Sequence, residues 1–74
     1  MKVIDTVASG QKIKLLAKQH NYNATDLQNA FYFNTPQAIY KWYRGETMPV
    51  LDNLVILADL FHCTIDDIIV TKEV

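Results

Sequence analysis

The sequence predicts an all-α fold built from five short helices. Three observations predict it. Apolar residues recur at spacings of three and four in one segment after another, which places them on single helix faces. Capping side chains (Asp5, Asn23, Thr35 and Thr64) stand just before four of these segments, and chain-stopping residues (Asn21, Asn34 and Gly45) follow three of them. With only two glycines and two prolines in 74 residues, the chain is sparsely punctuated, as short capped helices require.

The first helix is expected from about Thr6 to His20. Asp5 caps it by accepting backbone N–H bonds that otherwise lack partners, and Asn21 stops it in the left-handed conformation. Its inner stripe is Ile13, Leu16 and Ala17, with Lys14 and Lys18 on another face. The second spans about Ala24 to Phe31, capped by Asn23 with Asp26 as the reciprocal acid; Leu27 and Phe31 share a face, and Asn34 supplies a turn. The third spans about Pro36 to Arg44. Thr35 is its cap, Pro36 occupies the first helical position where its missing N–H costs nothing, and Gly45 ends it. The fourth runs from about Val50 to Phe61 on a stripe of Leu51, Leu54, Val55, Ala58 and Phe61. Thr64 starts the fifth, with Asp67 as its reciprocal acid and Ile65, Ile68 and Ile69 on its apolar side. No strand is needed, although Ile65–Val70 is a β-branched run. The expected core is Ile13, Leu16, Leu27, Ile39, Trp42, Leu54, Leu57, Ala58 and Ile68.

This length corresponds to one domain, residues 1–74, with half of its residues apolar. A chain of this size buries only about 60% of its unfolded surface, so stability is marginal and dimerisation would help. The lone Cys63 forms no internal disulfide, and the first residues lack the apolar run of a signal peptide. No run of about 18 apolar residues exists to span a membrane. The expectation is a cytoplasmic protein. The net charge of -1 hides an asymmetry. Residues 1–44 carry Lys2, Lys12, Lys14, Lys18, Lys41 and Arg44 against Asp5 and Asp26, a net +4. Residues 45–74 carry Lys72 against Glu46, Asp52, Asp59, Asp66, Asp67 and Glu73, a net -5. That distribution permits a basic face on one side of the fold, and equally two ordinary solvated surfaces.

The third helix is the informative one. Ile39, Trp42 and Tyr43 share its inner side, while Gln37, Tyr40, Lys41 and Arg44 share the opposite side. The outer stripe therefore offers an amide, a phenol, an ammonium and a guanidinium. Gln pairs bidentately with adenine in the major groove, and Lys and Arg bond guanine or phosphates. The residues alone leave open the alternative that this is an ordinary solvated helix face.

The stretch Thr35-Pro36-Gln37-Ala38-Ile39-Tyr40-Lys41-Trp42-Tyr43-Arg44-Gly45 is followed by Met48-Pro49, then Leu51-Asp52-Asn53-Leu54, Leu57-Ala58 and Cys63-Thr64-Ile65-Asp66-Asp67-Ile68. In order and spacing it resembles the Cro and phage-repressor type of helix-turn-helix domain, also called the Xre family, from about Ile13 to Ile69. The resemblance implies a five-helix, lambda-repressor-like DNA-binding domain with its helix-turn-helix over about residues 24–44. It implies that the third helix reads double-stranded DNA, with Thr35, Pro36, Gln37, Tyr40, Lys41 and Arg44 at or near it. Thr25 and Gln28 approach the DNA backbone. The implied role is a transcriptional regulator of the repressor type. A weak homodimer is expected on separate grounds: one unit reads too few base pairs to select a site, and Leu60, Phe61, Ile65, Ile69 and Val70 are more apolar side chains than so small a core absorbs.

Three departures from the pattern stand out. Leu27 to Ile39 is twelve positions, one more than the type, so the turn is a residue longer. The turn, Phe31-Tyr32-Phe33-Asn34, lacks the usual glycine. An Arg–Glu pair that many family members place between the first and third helices is replaced by Ala17 and Tyr43, which leaves no orphan charge.

Other functions find little support. His62 and Cys63 are sequence neighbours without an aligned third group, so no catalytic residue is assigned and the chain is not expected to be an enzyme. Two scattered histidines and one cysteine do not make a zinc site, and Asp66-Asp67 suit the positive end of a helix. No glycine-rich phosphate loop, cofactor motif or small-molecule ligand is evident. The rival is a protein-binding module derived from a helix-turn-helix domain, of antirepressor or antitoxin kind.

Overall fold

The computed structural model describes residues 1–74. Five helices follow one another: α1 (Thr6–Gln19), α2 (Ala24–Ala30), α3 (Gln37–Arg44), α4 (Leu51–Leu60) and α5 (Ile65–Ile68). Two short strands, β1 (Lys2–Ile4) and β2 (Thr71–Glu73), join the chain ends.

Local chemistry accounts for most of the boundaries. The Asp5 carboxylate accepts the Ala8 N–H at 2.9 Å and opens α1. Asn23 and Asp26 exchange hydrogen bonds at the start of α2, at 2.9 and 2.7 Å. Thr64 and Asp67 form the same reciprocal box at α5. These boxes satisfy N–H groups that the first turn of a helix leaves free. Asn21 takes a φ of 63° after α1, and Gly45 a φ of 74° after α3, where the Glu46 N–H closes the turn on the Lys41 carbonyl.

Three local expectations are revised. α3 begins one residue later than expected, with Pro36 and not Thr35 as its flanking residue. Pro36 (φ -80°, ψ 3°) offers no side-chain acceptor, and its carbonyl closes the first turn with the Tyr40 N–H at 3.1 Å. Thr35 Oγ1 still receives the Gln37 N–H, at a long 3.4 Å. In the turn between α2 and α3 the left-handed residue is Tyr32 (φ 57°), not Asn34. Tyr32 points into solvent, while Phe31 and Phe33 stack on each other and meet Trp42 edge-on, with centroids 5.3 and 5.8 Å away. Packing of two rings onto the core offsets the strain of one non-glycine residue in that region. Finally, a sheet exists. Its register is Lys2↔Glu73, Val3↔Lys72 and Ile4↔Thr71, antiparallel. The β-branched run is not its seat, since Ile65–Ile68 is helical. The pairing is made by chain ends far apart in sequence, which local pattern does not report.

Every helix contributes to one core: Ile13 and Ala17, Ala24 and Leu27, Ile39 and Trp42, Leu54, Leu57 and Ala58, then Phe61 and Ile68. Of the expected core residues only Leu16 is partly rather than fully buried, packed against its edge. On α4 the buried stripe is Leu54, Leu57, Ala58 and Phe61; Leu51 and Val55 face solvent, contrary to expectation. They lie on one flank of that stripe, and the exposed Ile56 lies near the opposite side of the helix. Phe61, expected on an outer surface, is 1% exposed; His20 stacks on it at 5.9 Å. Ala17 is buried and Tyr43 half-buried, and no buried side-chain polar atom lacks a partner.

Candidate nucleic-acid interface

The amphipathic pattern of α3 is realised in space. Ile39 and Trp42 are buried and Tyr43 is half-buried, while Gln37, Tyr40, Lys41 and Arg44 are all exposed on the opposite face. One short helix thus presents four polar side chains from a side held rigid by its own core contacts. α2 lies against it in front, and α1 packs across its C-terminal end.

The anchoring of that end depends on the two glycines. A Cβ on Gly10 of α1 would overlap the Trp42 carbonyl oxygen and press on Tyr43 O and Gly45 N. A Cβ on Gly45 would lie 2.6 Å from Val7 Cα, again in α1. Backbone meets backbone here, and this contact sets the angle at which α3 leaves the body of the protein. Gly10 had one signal in the sequence: a glycine inside a helix costs up to about 1 kcal/mol relative to alanine and needs a reason.

The remaining expected site residues are distributed unevenly. Thr25 is exposed in the first turn of α2, and Thr35 is exposed with Pro36 half-buried just ahead of α3. Gln28 is half-buried and donates from Nε2 to the Phe33 carbonyl at 3.2 Å, so part of its amide is committed to the turn. Arg44 is paired with Glu46, with Nε–Oε2 at 2.7 Å. Lys14 and Lys18, given no base-reading role from sequence, stand beside Tyr40 and Arg44 across a groove between α1 and α3. Their i, i+4 spacing on α1 was the available signal.

A helix of this kind, carried behind a second short helix, is the device by which proteins enter the major groove. Residues 12–73 match the model of the Cro/C1-type helix-turn-helix DNA-binding domain. The chain belongs to that family. No curated protein and no solved structure matches the chain. As a Cro/C1-type domain its function is DNA binding in transcription regulation.

Elsewhere in this Cro/C1-type domain the reactive groups are quiet. Burial, with Asp67 nearby, pushes the Cys63 thiol up and disfavours the thiolate. The neighbouring His62 ring is turned toward His20, 5.9 Å away. No cluster of three or more His, Cys, Asp or Glu is arranged to hold a metal ion, and no helix is long and apolar enough to cross a membrane.

Proposed function

We propose that this domain is a sequence-specific transcriptional regulator of the repressor type that reads the major groove with α3. The observation that carries the reading is the exposed stripe of Gln37, Tyr40, Lys41 and Arg44 opposite the buried Ile39 and Trp42. Gln37 and Lys41 contact base edges, and Arg44 a base or a phosphate. Thr25, Thr35, Pro36 and Tyr40 lie along the backbone and fix the register. Gln28, tied to Phe33, holds the turn at that backbone contact.

One such unit reads few base pairs, so the functional form is a weak homodimer that places two copies of α3 about 34–36 Å apart on a two-fold site. With Phe61 inside the core, the apolar surface left for it is the half-buried Leu60, Ile65, Ile69 and Val70, with the exposed Ile56. Asp59, Asp66 and Asp67 nearby oppose self-association and keep this end away from phosphates.

Selection from random duplex DNA tests the reading. A defined, two-fold site is expected. Gln37→Ala relaxes the preference at one base pair and costs about 1–3 kcal/mol. An unchanged preference would remove α3 from the role. Failure to select any duplex, with only salt-insensitive protein partners captured, favours the protein-binding module instead. Sedimentation with and without the selected site tests the dimer.

A further inference from the structure

We propose that the groove between α1 and α3 seats a backbone phosphate of the bound DNA, held by Lys14, Lys18 and Arg44, so that α1 belongs to the DNA interface. The inference rests on the DNA-binding reading and adds to it a contact outside the helix-turn-helix.

The groove has a volume of about 410 Å³. Its rim carries three cations, Lys14, Lys18 and Arg44; its walls carry three tyrosines, Tyr22, Tyr40 and Tyr43. No carboxylate lines it. The ion pairs of the whole chain are Met1–Glu73 and Arg44–Glu46, so neither lysine has an internal counterion. In a chain whose net charge is -1, the two unneutralised lysines beside Arg44, itself paired with Glu46, are a local excess that an anion would complete. The tyrosines add neutral donors. Tyr43 is half-buried, and desolvation with Tyr40 beside it holds its hydroxyl in the protonated, donating form. Two unpaired lysines beside tyrosine hydroxyls, with no carboxylate in the lining, match the chemistry of a phosphate ester.

The position favours DNA as the source. Tyr40 and Arg44 belong both to the groove and to the exposed face of α3 that carries Gln37 and Lys41. A strand lying along that face passes over the mouth of the groove. Lys14 and Lys18, four residues apart, lie about 6 Å apart along α1 and point to one side. Both are exposed, so both reach a strand without rearrangement of the core.

The test is the salt dependence of binding to a short duplex of arbitrary sequence, where phosphate contacts dominate. The full chain is compared with the Lys14→Ala/Lys18→Ala variant and with Lys14→Arg/Lys18→Arg. Each lost phosphate contact flattens the slope of log K against log salt by about 0.9. The expected result is a slope flatter by up to about 0.9 for the alanine variant and restored by arginine, with the thermal midpoint unchanged. If the wild-type chain binds and the alanine variant keeps its slope, the phosphate seat is overturned while the DNA reading stands. If the wild-type chain binds no duplex, the DNA reading itself fails and takes the seat with it. A parallel titration with adenosine monophosphate, read from the amide resonances of Lys14, Lys18, Tyr40 and Tyr43, separates the sources. Saturable shifts there with an unaltered DNA slope would assign the groove to a free nucleotide and overturn the proposal.

Discussion

Gly10 of α1 lies against the carbonyl oxygen of Trp42, with no room between them for a Cβ. The contact joins the longest helix to the end of α3, and it replaces side-chain packing with backbone packing. Gly10→Ala would relieve up to about 1 kcal/mol of helix propensity. The overlap, against backbone that cannot rotate away, outweighs it at about 1–3 kcal/mol. A net loss of stability is expected by thermal unfolding. DNA affinity is expected to fall further than stability alone explains, because α3 is re-aimed.

Ser9 makes the second long-range tie. It is fully buried, accepts the Val70 N–H at 2.8 Å and donates to the Val70 carbonyl at 3.2 Å. Ser9→Ala leaves that N–H without its partner, at a cost of about 1–3 kcal/mol. Amide exchange at Val70 should accelerate strongly in the variant. Unchanged exchange would show that the strand pair holds itself in place.

Tyr32 occupies the left-handed region while almost fully exposed, so its side chain returns little for the strain. Left-handed backbone costs a non-glycine residue about 1–2 kcal/mol, and glycine's extra chain entropy takes back about 0.5–1 kcal/mol. Tyr32→Gly is therefore expected to raise stability by about 0.5–1 kcal/mol, measured by denaturant midpoint. A loss would mean that Tyr32 makes its contribution elsewhere.

Glu46 occupies the guanidinium of Arg44 on the surface. Exposed ion pairs contribute about 0–1 kcal/mol, so Glu46→Gln should leave the fold almost as stable. Freed of its partner, Arg44 is available to DNA, and low-salt affinity should rise about two- to five-fold, the equivalent of that energy. Unaltered binding would place Arg44 outside the interface.

Asp67 has its carboxyl held below the usual range, first by the hydrogen bond from the Thr64 backbone and then by that from its hydroxyl. A folded pKa below the unfolded one gives stability that is present above the unfolded value and is lost as pH falls through the folded value. The acid side of the stability curve should therefore decline through the carboxylate range. Asp67→Asn should flatten that decline without altering the neutral plateau's dependence on pH. Thermal midpoints across pH measure it, and an acid limb identical in the variant would contradict the assignment.

The helices were legible because their causes are local. Asp5, Asn23 with Asp26, and Thr64 with Asp67 cap what they were expected to cap, and Gly45 stops α3 where a left-handed residue was needed. The opposed faces of α3 were legible too, since Ile39 and Trp42 against Gln37, Lys41 and Arg44 is a matter of helical period. Tertiary structure decided the rest. Whether Leu51, Val55 or Phe61 lies inside depends on which neighbours cover α4, and period alone admits all three. The strand pair and the Ser9–Val70 tie join positions 61 or more residues apart, which no local window registers. The groove follows the same logic: Lys14 and Lys18 read as solvated charges along α1, and only the crossing permitted by Gly10 brings them beside Tyr40 and Arg44.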